Sequence, residues 1–181
     1  DERANAGLED DLLTAPPGGA PYVVKSPWLF TRIDALLNDG RFRLDGVIVP
    51  VRPLQEVAMS RVTVEMQDRY DRDPGLLDNA APLRLFGSTA GGVIHSLEPL
   101  DQERILAAGF HHLVERLATS DVPLVFLAFP KIIEDGAYLY RNLRPFLPAH
   151  ITEAQALAAH ARIAVPNQVR TGRELLDPVM G

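Results

Sequence analysis

The chain contains no cysteine. That absence removes disulfide frameworks, thiolate nucleophiles and zinc–thiolate sites together. Lysine is almost missing too: Lys25 and Lys131 stand against sixteen arginines. No apolar run approaches the roughly 18–20 residues that a membrane span requires, so none is expected. The opening DERANAGLEDD is acidic and polar and carries no secretory or organellar signal, which makes the cytoplasm the default location. An initiator methionine is also lacking, which suits either a processed or trimmed product or one part of a longer protein.

The residues present describe an ordinary globular domain. A length of 181 residues supports one compact unit over 1–181. An apolar content of 46% and a charged content of 23% are enough to bury a real core. The net charge of −6 speaks against nucleic acid as a partner of the whole surface, yet leaves room for a local basic cleft that holds an anion.

Along the chain, strand and helix patterns alternate. TAPPGGAP (14–21) is a breaker-rich loop, and YVV (22–24) reads as a short strand. Residues 28–39 carry Trp28, Leu29, Ile33, Leu36 and Leu37 at helical spacing, and Gly40 ends that helix. GVIVPV (46–51) is a second apolar strand, and Pro53 suits the first turn of the helix after it. Residues 71–98 read as irregular. A helix over 100–119, a strand over 122–130 and helices over 134–147 and 152–164 complete the pattern. This order defines an α/β fold, and strands without polar alternation imply a parallel β-sheet flanked by helices on both faces.

Lys25, Arg52 and Lys131 each come just after an expected strand. In open parallel sheets, ligands bind beyond the carboxyl ends of the strands. The three cations therefore outline a rim suited to an anion. Arg52 and Ser60 lie eight residues apart, with Arg52 at the entrance of a helix and Ser60 two turns in. A guanidinium fork and a hydroxyl could meet on one phosphate if the arginine folds back along the helix. Equally, Arg52 could pair with a neighbour such as Glu56 while Ser60 is an ordinary helix serine. His111 and His112 read as ordinary mid-helix residues, Trp28 as a core residue, and Arg61, Arg69, Arg72 and Arg84 as a solvated face. No metal site is expected.

The stretch VVKSP followed by IVPVRPLQEVAMSR resembles the bacterial-type PAPS-dependent sulfotransferase family, in which a strand ends in lysine and a second strand leads into R-(x)7-S. VFLAFPKIIEDGAYLYRNLRPFL (125–147) is similar to a later block of that family, and the resemblance spans roughly 21–147. It implies a P-loop NTPase-like three-layer sandwich. It also implies transfer of a sulfuryl group from 3′-phosphoadenosine 5′-phosphosulfate (PAPS) to a hydroxyl or amine, with 3′-phosphoadenosine 5′-phosphate (PAP) as product. The acceptor would be a small molecule, a carbohydrate or a lipid. On this resemblance Arg52 and Ser60 hold the 3′-phosphate and Lys25 acts at the sulfuryl group. Arg170, Gly172 and Arg173 of VRTGRE match a C-terminal segment that also grips the 3′-phosphate. His95 is the candidate general base, since histidine exchanges its proton near neutral pH.

The family's phosphate-binding loop has no counterpart before Lys25. TAPPGGAP has glycines, but Pro16, Pro17 and Pro21 remove donors, and GSTAGG (87–92) has the composition at a different place, where it could shape an acceptor pocket. Either an upstream segment supplies the loop or the chain has lost it. In the second case the fold would serve as an interaction or structural module. A P-loop kinase-like phosphotransferase ranks third, because no Walker-type lysine or magnesium ligand is visible.

Overall fold

The computed structural model describes residue 13 and residues 22–27, 29–72, 86–88 and 94–166. Its first helix, α1 (Leu29–Asn38), turns Ile33 and Leu36 inward and stops before the turn at Asp39–Gly40. Strand β1 (Val47–Val51) pairs in parallel with β4 (Leu124–Ala128), in register from Val47 opposite Leu124 to Val51 opposite Ala128. Among the described residues the result is a small two-stranded parallel sheet flanked by helices, an α/β arrangement. The P-loop sandwich is a narrower class than two strands define.

Backbone direction explains one sequence feature of β1. The Val47 N–H donates to Pro123 O at 2.8 Å, and the Phe129 N–H donates to Val51 O at 2.9 Å. The groups of 47, 49 and 51 therefore face β4, whereas those of Ile48 and Pro50 face outward. Proline lacks an N–H, so Pro50 occupies the side of the strand where no ladder bond is lost.

The expected strand at 22–24 does not form. Residues 22–27 are irregular, with a bend at 22–23 and a turn at 27, and Tyr22 and Val23 are 76% and 71% exposed. An apolar run of three residues is too short to secure a place in the sheet. Tyr22 instead donates its hydroxyl to Asp45 Oδ2 at 3.3 Å, ahead of β1.

On one face of the sheet, Val47 joins Ile33, Leu113 and Leu117 in a buried cluster, with Leu29, Phe30, Leu37, Leu44, Val49, Val122 and Leu124 packed around it. Leu113 and Leu117 belong to α3 (Pro99–Thr119), a helix that begins with proline in its first turn, as its missing N–H allows. Close approach of α1 to α3 depends on Gly109, where a Cβ would lie 2.5 Å from Phe30 Cδ2. A glycine inside a helix costs about 1 kcal/mol relative to alanine; here it makes room for an aromatic ring.

Helix α2 (Leu54–Arg72) packs on α3, with Ala58 and Val62 buried. The expected irregular stretch 71–98 contains a short antiparallel hairpin, β2 (Phe86–Ser88) with β3 (Ile94–Ser96). A polar network fastens it. Gln102, 1% exposed, donates Nε2 to Ser96 O at 2.7 Å and accepts from Arg61 Nε at 2.8 Å. The Ser96 hydroxyl bonds Asp101. Arg61 is thus half-buried and bonded across helices, which corrects its reading as part of a solvated face.

Past β4, the single helix expected over 134–147 is divided. It starts early as α4 (Lys131–Glu134), resumes as α5 (Gly136–Leu143) and ends in a 3-10 turn, Arg144–Phe146. Asp135 makes the break: its extended backbone interrupts the helix, and its carboxylate accepts the Tyr138 N–H at 2.8 Å as a cap. The last helix, α6 (Glu153–Ile163), starts at a reciprocal capping box between Thr152 and Gln155 and packs on α5.

Candidate functional site

The carboxyl ends of β1 and β4 bring two cations to one edge of the sheet. Arg52 follows Val51 directly, and because the Phe129 N–H is bonded to Val51 O, Arg52 lies level with Phe129. Its guanidinium carbon stands 5.4 Å from the centre of the Phe129 ring, a cation–π contact. Nη2 donates to Glu56 O at 3.1 Å in the first turn of α2. The arginine thus folds back along its own helix. Glu56 and Ser60 are four residues apart and share one helix face, so the guanidinium sits at the head of the face that carries Ser60, about 6 Å along the axis from Glu56.

Lys131 opens α4, three residues beyond the last residue of β4. Its Nζ lies 4.6 Å from the centre of the Tyr138 ring. Tyr138 is fixed in turn, because its hydroxyl oxygen accepts the N–H of Ala128 at 2.9 Å on the outward edge of β4. Each cation therefore rests on an aromatic ring, and the sheet sets both rings in place.

Lys25 and His95 do not follow β1 or β4. Lys25 is exposed, in the segment before α1, and does not follow a strand. The expected rim of three strand-end cations is corrected to two, Arg52 and Lys131. His95 is the middle residue of β3, paired with Gly87. Arg170, Gly172 and Arg173 lie outside the described residues, as does Trp28. Among the described residues, no group of three or more His, Cys, Asp or Glu could hold a metal ion, and no helix is long and apolar enough to cross a membrane.

Sequence reasoning missed one charged cluster. Asp34 on α1 meets two residues of α3: His112 Nε2 at 3.1 Å and Arg116 Nε at 2.5 Å. Arg116 Nε is buried and is not aligned for a hydrogen bond, so that contact is an ion pair without the directional component. His112 and Arg116 are four apart on one face, but nothing in the spacing announces Asp34 as their partner. The cluster straps α1 to α3, and its half-exposed groups make it a modest contributor.

Comparisons with protein-family models, with curated proteins and with solved structures found no match.

Proposed function

We propose that the chain is a PAPS-dependent sulfotransferase domain, with a P-loop-like sandwich as its full architecture and the cytoplasm as its location. The observation that carries this reading is Arg52, set at the end of a parallel strand and laid along the helix face that bears Ser60. A guanidinium fork, a serine hydroxyl and a helix entrance are donors that suit a phosphate dianion. In this reading Arg52 and Ser60 hold the 3′-phosphate of the nucleotide, and Arg170, Gly172 and Arg173 add further contacts to it.

The nucleotide supplies the sulfuryl group, which passes to a hydroxyl or amine of a small-molecule, carbohydrate or lipid acceptor. Lys25 neutralises charge that builds on the oxygen left on PAP. His95 takes the proton from the acceptor. The second reading, a module that keeps the fold without the nucleotide, is favoured by a different observation: Arg52 already bonds within its own fold, to Glu56 O and over Phe129.

Calorimetric titration with PAP separates the two. Wild type is expected to bind, and Arg52→Ala to bind more weakly by about 1.5–3 kcal/mol, the worth of a charged donor, or roughly ten- to a hundredfold. Absence of PAP binding to the wild type sinks the transferase reading.

A further inference from the structure

Three of the thirteen glycines follow an aspartate: Asp39–Gly40, Asp45–Gly46 and Asp135–Gly136. At such a step the residue after aspartate has no side chain to shield its backbone nitrogen, which can then reach the aspartate's own carboxyl carbon. The structure separates the three steps. Gly46 is packed under the ring of Phe146. Gly136 is the first residue of α5, where a Cβ would lie 2.9 Å from His160 Nδ1. Among the described residues, nothing but its own chain neighbours comes within 4 Å of the Gly40 Cβ position, and Gly40 sits exposed in a turn closed by the Phe42 N–H on Asp39 O at 3.1 Å.

Packing restrains two of these backbones and leaves the third open. At the open one, an arginine grips the carboxylate. Arg41 Nε donates to Asp39 Oδ1 at 3.0 Å and to Oδ2 at 3.1 Å, Nη2 donates to Oδ2 at 2.6 Å, and the Arg41 backbone N–H donates to Oδ1 at 3.1 Å. Arg41 is itself braced, with Nη2 also donating to Leu13 O at 3.1 Å.

We propose that Asp39–Gly40 is a site of spontaneous isoaspartate formation whose rate is set by the Arg41 clamp. The Gly40 nitrogen bonds to Asp39 Cγ, and one Cγ–O bond breaks. The departing oxygen leaves as water, carrying the amide proton and the carboxyl proton. Water then adds back to the five-membered imide. Opening at the main-chain carbonyl leaves the chain running through the side-chain carbonyl, one methylene longer and unchanged in mass.

The protonated carboxyl is the reactive form, because a carboxylate offers no good leaving group. Arg41 holds Asp39 below the usual aspartate range, first through the side-chain hydrogen bonds and then through the backbone one, and so depletes that form. The clamp also keeps both oxygens turned to residue 41. An inserted methylene here would lengthen the connection between α1 and β1, the strand that delivers Arg52.

The test incubates the full chain at neutral pH and raised temperature and reads all three Asp-Gly steps from one digest, by fragmentation that distinguishes isoaspartate from aspartate. Folded Arg41→Ala is expected to isomerise at 39–40 severalfold faster than wild type, with Arg41→Lys between them. Adding Gly40→Ala, whose Cβ meets no described residue beyond its chain neighbours, should slow product formation at this step severalfold by shielding the attacking nitrogen. Steps 45–46 and 135–136 should stay at their wild-type rates, and in urea the wild type and Arg41→Ala should converge. A folded Arg41→Ala that isomerises no faster than wild type overturns the proposal. So does an equal rise at all three steps, which reports general loosening and not a lost clamp.

Discussion

Replacing Gln102 by leucine probes how the hairpin is held to the helices. The side chain is 1% exposed and bridges Ser96 O at 2.7 Å and Arg61 Nε at 2.8 Å. Leucine fills a similar volume, so the cavity term is small. The Ser96 carbonyl, in a residue 6% exposed, loses its donor, at a cost of about 1–3 kcal/mol for a buried group left unsatisfied. Arg61 loses an acceptor for a charged N–H, at about 1.5–3 kcal/mol. Leucine returns roughly 1 kcal/mol through its apolar surface. The expected net loss is about 1.5–5 kcal/mol, or a fall in Tm of roughly 3–20 °C for a chain of this length. Urea denaturation measures it. Gln102→Glu keeps an acceptor for Arg61 but faces a carboxylate to the Ser96 carbonyl, so it should lose stability mainly at neutral pH and recover some at acid pH, where the group can donate. A Gln102→Leu variant within about 0.5 kcal/mol of wild type, the range of surface substitutions, would refute the reasoning.

Leu117, fully buried between α1 and the sheet, should cost about 2–5 kcal/mol when cut to alanine, read by the same denaturation. The Asp39–Arg41 pair makes a pH prediction. The folded-state pKa of Asp39 is lowered by Arg41, and an unfolded aspartate titrates near about 3.9. The pair therefore stabilises fully above that value, and its contribution disappears as pH falls through the lower folded-state pKa. Wild type and Arg41→Ala should differ in denaturation midpoint at neutral pH and converge in acid; a gap that widens on acidification contradicts the assignment.

The helices were legible because each carries its own apolar period: α1, α3 and α6 lie within two residues of their expected bounds. The two paired strands were legible as apolar runs bounded by breakers. YVV had the same composition and failed, since a strand also needs length and a neighbour, and neither is written in three residues. The β2–β3 hairpin escaped for the opposite reason, because Phe86–Gly87–Ser88 shows no alternation and the pair is held through Gln102 of α3, itself bonded to Arg61 from distant α2. Asp135 splitting a helix was readable in principle: an aspartate followed three residues later by the amide it caps is a local signal. The Asp34 strap was not, because it exists only once α1 and α3 are side by side.

Arg52 is where the legible and the illegible meet. Its position after β1 and its spacing to Ser60 belong to the sequence, whereas its posture depends on Phe129, which the parallel pairing brings level with it. That posture bears on both functional readings. A free arginine loses rotamer freedom when it grips a ligand, on the order of 0.5–1.5 kcal/mol for an immobilised side chain. One already laid along its helix has lost much of that freedom on folding, and so is the better prepared to bind. The same contacts would make it a strut joining β4 to α2 if no ligand comes. The two roles differ in what alanine removes. A strut alone loses stability whether or not PAP is present, whereas a ligand residue also loses the rise in Tm that PAP gives the wild type. Melting Arg52→Ala and wild type with and without PAP therefore resolves the role of Arg52, and a nucleotide-dependent rise that survives the substitution intact would leave it as a strut only.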